Sequence, residues 1–268
     1  LLHYFSGKFY GNGHTISNYA NSDLSPAQGG IFAVNKGTIK NLIVKNIQIS
    51  LVSEYQQINA GGIAAENEGV IAYCKATGSI TAYSYNYIVY VGGITGINTG
   101  EIYCCYSDCS LDGTANRVIP AIETQFPTTP TANVFGIGYN DNGIIDSCYS
   151  LGEFKATAET EGGYASYVYI GGISNTATNC FSLADIVYNT TANYRSIWAV
   201  AENLTACASQ TINGVAQSTG IPEILLKNEE YLTSEMGWFK YTVADFAQNK
   251  KAAWKFVSDS LPSLYFEK

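Results

Sequence analysis

A segment opening on Gly-Gly-Ile recurs along the chain at a nearly constant interval, and no other feature restricts the fold as much. Gly29-Gly30-Ile31-Phe32-Ala33-Val34-Asn35-Lys36-Gly37-Thr38-Ile39 is followed by Gly61-Gly62-Ile63-Ala64-Ala65-Glu66-Asn67-Glu68-Gly69-Val70-Ile71 and by Gly92-Gly93-Ile94-Thr95-Gly96-Ile97-Asn98-Thr99-Gly100-Glu101-Ile102. A weaker copy starts at Phe135-Gly136-Ile137 and reaches Asn142-Gly143-Ile144-Ile145, and a shortened one starts at Gly171-Gly172-Ile173. Starts at 29, 61, 92, 135 and 171 give steps of 32, 31, 43 and 36 residues. A repeat of this size cannot close a core of its own, so its apolar side chains have to be buried by stacking on the next copy.

Each copy continues alike: Tyr73-Cys74, Cys104-Cys105, Ser147-Cys148 and Asn179-Cys180 correspond, with Asn41-Leu42 in the first. A small-residue turn and an apolar residue follow, as in Gly78-Ser79-Ile80, Gly152-Glu153-Phe154 and Ala184-Asp185-Ile186. These pieces are too short and too punctuated by glycine for helices and read as strands. The Asn-x-Gly element is expected to supply the turn, because both residues tolerate positive φ. With one coil per copy, equivalent residues lie about 4.8 Å apart, giving inward ladders of Ile39, Ile71, Ile102 and Ile145 beside Leu42, Cys74, Cys105, Cys148 and Cys180. The ladders are offset by three residues, and strict alternation would put them on opposite faces, so a bend is predicted between them. The expected architecture is all-β: a parallel β-helix over residues 1–220, right-handed by the crossover rule.

The unit Gly-Gly-Ile...Asn-x-Gly-x-Ile...Asn/Ser-Cys-Tyr/Phe-Ser resembles the GLUG motif, a repeat of secreted and surface-attached microbial proteins that also occurs in the non-catalytic part of some immunoglobulin A peptidases. The opening Phe5-Ser6-Gly7-Lys8-Phe9-Tyr10-Gly11-Asn12-Gly13-His14-Thr15-Ile16-Ser17-Asn18 is similar to the coil that precedes those repeats, and Trp254-Lys255-Phe256 through Leu261-Pro262-Ser263-Leu264 to their usual ending. The resemblance implies a β-helix, a secreted or cell-surface setting and adhesion, and it brings no catalytic residue. Phe135 in place of the first glycine of copy four, and the missing Asn-x-Gly in copy five, depart from the motif.

Two segments break the pattern. Residues 117–132 hold Pro120, Pro127 and Pro130, which exclude a central strand and suggest a loop projecting from the stack. Residues 221–268 carry 13 of the 36 charged residues and are expected to form a capping segment with short helical turns. Trp238, Phe239, Trp254 and Phe256 would then cover the open end of the core.

A net charge of −8 argues against nucleic acid as a partner, and no apolar run is long enough to insert in a membrane. The Cys column reads as buried thiols or as stacked disulfides, with Cys104 and Cys109 outside it and free to pair locally. Without Cys-x-x-Cys or a neighbouring His, no metal site is expected, and nothing points to a cofactor. The two histidines, His3 and His14, leave little from which to build a nucleophilic site. Polysaccharide cleavage would need converging carboxylates, for which Asp108 with Asp112 and Asp141 with Asp146 are the close pairs. They read as turn and strand-face residues, so the chain is taken as a non-enzyme.

Tyrosine carries a more positive signal. Tyr83, Tyr85 and Tyr87 alternate, Tyr90 follows just before one Gly-Gly-Ile start, and Tyr164, Tyr167 and Tyr169 precede another. Tyr90 and Tyr169 are thus equivalent positions, and the seven could form one exposed aromatic patch for a glycan or a host or neighbouring-cell protein. The same residues could instead form a ladder that only stabilises strand edges. Coils stacked end to end as a stalk or fibre are the alternative to a binding module.

Overall fold

A computed structural model describes residues 2–22, 27–117, 129–160, 165–189, 194–198, 211–212, 215–216, 223–248 and 251–267. The described residues are all-β apart from three short helices near the end of the chain, and strands of successive copies pair in parallel into stacked sheets. In the order in which a copy visits them, the first sheet carries Gln28–Gly29, Ile58–Gly61, Ile88–Gly92, Thr131–Phe135, Tyr167–Gly171 and Tyr194–Trp198. The second carries Leu2–Phe5, Phe32–Asn35, Ala64–Asn67, Thr95–Asn98 and Tyr139–Asn140. The third holds Lys8–Tyr10, Thr38–Lys40, Val70–Ala72, Glu101–Tyr103 and Ile144–Asp146. The fourth begins at Thr15–Ser17 and contains the long strands Ile43–Ser53, Lys75–Tyr85, Tyr106–Arg117 and Glu153–Thr160.

Register follows the repeat: Ile39, Ile71, Ile102 and Ile145 are successive partners. Leu42, Cys74, Cys105, Cys148 and Cys180 are buried in the same core. The bend between these ladders falls on the residue just before the inward Leu or Cys. Asn41, Tyr73, Cys104, Ser147 and Asn179 are all left-handed there, with φ between 51° and 56°. Asn visits that region at little cost; Tyr, Cys and Ser are held in it by packing.

The Asn-x-Gly turn works differently from the expectation. Asn35, Asn67 and Asn98 are not left-handed; their side chains are buried and bonded to one another along the stack. Asn35 Nδ2 donates to Asn67 Oδ1 at 2.7 Å, Asn67 Nδ2 to Asn98 Oδ1 at 2.7 Å, and Asn98 Nδ2 to Asn140 Oδ1 at 2.9 Å. The following glycine is needed because a Cβ on Gly69 or Gly100 would strike the backbone of the preceding coil. In the fourth copy the partner of Asn98 is Asn140 rather than Asn142, and the extra residue is absorbed at Asn142, with φ of 61°.

The described cysteines are free thiols. Cys148 Sγ accepts from Cys105 N at 3.4 Å and Cys180 Sγ from Cys148 N at 3.2 Å. Cys109 joins the main core, while Cys104 belongs to a second cluster and donates to the Lys251 carbonyl at 3.5 Å. They lie in separate clusters, so the local pairing open to them does not form. Cys207 lies outside the described residues, as do positions 118–128 of the proline-rich segment. Thr131 and Ala132, placed in that loop by sequence, belong to a strand.

The C-terminal segment, with helices Glu223–Leu226, Glu229–Ser234 and Val243–Gln248, does not sit over the end of the stack as expected. It runs along its side. The Phe266 ring covers Gly13, Tyr265 Oη donates to Asn41 Oδ1 at 3.0 Å, and Glu267 takes Lys75 Nζ at 3.0 Å and Tyr106 Oη at 2.7 Å. Further along, Tyr149 Oη donates to the Pro262 carbonyl at 2.8 Å, Lys251 pairs with Asp146, and Trp238 Nε1 donates to the Asn179 carbonyl at 2.6 Å. The reason lies in the repeat itself. The aromatic residue after Cys105, Cys148 and Cys180 faces out, and Tyr106, Tyr149 and Phe181 stack at 4.5 and 4.9 Å into a column that needs cover. Trp238 and Trp254 supply it and are fully buried, whereas Phe239 is 45% exposed and covers nothing there.

Candidate functional site

The Gly-Gly step joins the first sheet to the second. A Cβ on Gly61 or Gly92 would run into the carbonyl of Ala64 or Thr95, so the corner of these two copies needs glycine. Side chains facing away from the core would splay apart at a convex corner; here those of the two sheets touch. Tyr90 on the first sheet meets Tyr139 on the second with ring centroids 5.1 Å apart. One coil pair below, Glu66 Oε1 accepts from Asn59 Nδ2 at 2.7 Å and from Gln28 Nε2 at 2.9 Å. The corner is therefore re-entrant, and it forms a groove along the stack.

Register orders its walls. Gln28, Asn59, Tyr90, Asn133 and Tyr169 form one row on the first sheet. Val34, Glu66, Ile97 and Tyr139 form the facing row on the second. Tyr90, Tyr139 and Tyr169 are partly exposed, while Asn59 and Asn133 are buried between them. Asn133 is tied down by its bond to the Val89 carbonyl at 3.2 Å. Phe135 stands where earlier copies have glycine. Its ring is fully buried 5.9 Å from Tyr139, in space left by Gly171, whose Cβ would crowd it. Burial raises the Tyr90 hydroxyl to about 12, with Tyr139, Asp141 and Tyr169 adding to the shift. Burial also lifts Tyr139 and Tyr169, so all three are neutral hydrogen-bonding phenols at ordinary pH.

Of the seven tyrosines singled out by sequence, the structure brings Tyr90 and Tyr169 to this groove, with Tyr167 stacked on Tyr169 at 6.1 Å. Tyr83 and Tyr85 are 4.7 Å apart on the fourth sheet, where Tyr83 Oη accepts from Asn116 Nδ2 at 3.1 Å. Tyr87 lies in the connection between the two sheets, and Tyr164 lies outside the described residues. The six that are described are therefore divided between faces. Sequence reasoning passed over Tyr139 and Glu66. Both occupy the position just before the ladder asparagine, so the repeat alignment carried the signal.

The carboxylate pairs do not converge. Asp112 pairs with Lys155 at 3.1 Å on the fourth sheet, and Asp141 is exposed at the turn. Asp146 is buried under the C-terminal segment, accepting from Ser147 Oγ and Asn179 Nδ2 at 3.0 Å each and from Lys251. Among the described residues no cluster of three or more His, Cys, Asp or Glu could hold a metal, and no helix is long and apolar enough to cross a membrane.

No protein-family model matches the sequence, and no curated protein does. In fold, the chain is similar to the crystal structure of a "putative immunoglobulin A1 protease from Bacteroides ovatus". The TM-score is 0.55 at 16% identity, over 97% of this chain and 78% of that one. That likeness extends to fold alone.

Proposed function

We propose that the chain is a non-catalytic recognition module, built as a closed, right-handed parallel β-helix of GLUG-type repeats and displayed on a secreted or surface protein. The observation that carries the binding reading is the re-entrant corner, where partly exposed phenol rings stand among amides and a carboxylate. Tyr offers large contact area at low entropic cost, and shallow polar-aromatic grooves suit glycans or protein loops. The resemblance of the repeat to the GLUG motif of secreted and surface-attached microbial proteins supports the extracellular setting. The scattered carboxylates support a non-enzymatic role.

A glycan array probed with the purified chain beside the Tyr90→Ser/Tyr169→Ser variant tests this. Binding by the parent that falls about tenfold or more in the variant supports the reading. Unchanged binding removes the site. A stalk formed by end-to-end stacking is the second reading. It draws on the first coil, where Leu2–Phe5, Lys8–Tyr10, Thr15–Ser17 and Gln28–Gly29 each lie at the edge of their sheet. Concentration-dependent assembly in sedimentation would favour it.

A further inference from the structure

Resting on that recognition reading, we infer that the corner groove takes an extended, uncharged β-1,4-linked glycan lying parallel to the stack axis. Spacing carries the inference. Tyr90 and Tyr169 stand on one wall with Asn133 between them in register, so they are two strand spacings apart, about 10 Å. That distance matches the disaccharide repeat of an extended β-1,4 chain, whose alternate sugars present the same face. In the intervening coil the first-sheet wall has only the small, buried Asn133, and the ring comes instead from Tyr139 on the facing wall. From Tyr90 to Tyr169, successive sugars would thus meet one ring per strand spacing, alternately from the two sides, and the sugars beyond would meet the amides of Asn59 and Gln28. An α-1,4-linked glucan, which coils, cannot keep this register over more than one ring.

Length and charge narrow the class further. From Gln28 to Tyr169 the row spans four strand spacings, about 19 Å, enough for a tetrasaccharide. The charged groups placed at the groove are Glu66, bonded to Asn59 and Gln28, and Asp141, which acts on Tyr90 and Tyr139. Two carboxylates disfavour uronic or sialic acids and leave neutral sugars, whose hydroxyls and acetamido groups can use the amide and carboxylate oxygens.

The test is calorimetric titration of the full chain with cello- and chito-oligosaccharides of two to six units, with malto-oligosaccharides and oligogalacturonates of equal length as controls. Affinity for at least one β-1,4 series should rise up to the tetramer and then level. Tyr169→Ala should lower tetramer affinity about tenfold while leaving the dimer nearly unchanged, and Tyr139→Phe, which keeps the ring, should bind like the parent. Circular dichroism confirms that each variant is folded. Equal binding of α-linked chains, preference for galacturonates, or absence of length dependence overturns the inference. If no β-1,4 series binds while the array yields another ligand lost in the Tyr90→Ser/Tyr169→Ser variant, this inference falls and the recognition reading stands. No ligand in either experiment removes both.

Discussion

Asn67 shows what one residue of the repeat does. Its Oδ1 accepts from Asn35, and its Nδ2 donates to Asn98 and lies 3.3 Å from the Gly69 and Glu101 carbonyls, with 1% of the residue exposed. The position must accept on one side and donate on the other, which an amide does and a carboxylate does not. Asn67→Ala should cost about 2–4 kcal/mol, since Asn35 Nδ2 keeps only the longer bond to the Val70 carbonyl, Asn98 Oδ1 loses the Asn67 donor, and a void opens. Asn67→Asp should be destabilised at neutral pH and recover as pH falls. Its carboxyl pKa is raised by burial, and the protonated acid can donate where the amide did. Urea unfolding at several pH values checks both. The sequence marks these asparagines by their period but misassigns their role. Asn is equally apt for left-handed turns and for amide ladders, and only burial distinguishes the two.

At the scale of elements, the C-terminal segment has the strongest claim on stability. Trp254 lies 4.5 Å from Trp238 and 5.6 Å from Tyr149, fully buried over the outward aromatic column. Trp254→Ala should cost about 3–5 kcal/mol and expose the column, seen as a lower urea midpoint with increased binding of an apolar dye. Lys251→Met should cost less, about 1–2 kcal/mol, because Asp146 keeps its bonds from Ser147 and Asn179 and the lysine is 40% exposed. That this segment is not a coil was legible from its charge density and lost period. That it braces the side was not, because its docking surface is assembled from one aromatic residue in each of several copies.

Across the whole molecule, tyrosine sets the response to alkali. Burial, the largest cause in each case, raises Tyr90 and Tyr103 to about 12 and pushes Tyr73, Tyr106 and Tyr149 higher still. A phenol whose folded pKa lies above its unfolded value contributes stability that is complete below pH 10 and is lost as pH rises through the folded pKa. Exposed tyrosines should therefore titrate reversibly, while the buried ones ionise together with unfolding between pH 10 and about 12. Phenolate absorbance and circular dichroism should change together there. Gradual ionisation with the fold intact would contradict this burial pattern.

The amino-acid sequence by itself determined the parallel stacking of the repeats. Its period, its Ile and Cys ladders and the bend between them follow from which side chains must be buried when one copy stacks on the next, a constraint each repeat carries locally. Only the tertiary structure decided what the outward side chains do. Whether Tyr90 meets Tyr139, Tyr83 stands apart, or Trp254 covers Tyr149 depends on the angle at which one sheet turns into the next. That angle is set by how the strands of successive copies pack on one another as well as by the local corner at Gly61 and Gly92, and the order of residues within one repeat encodes only the second.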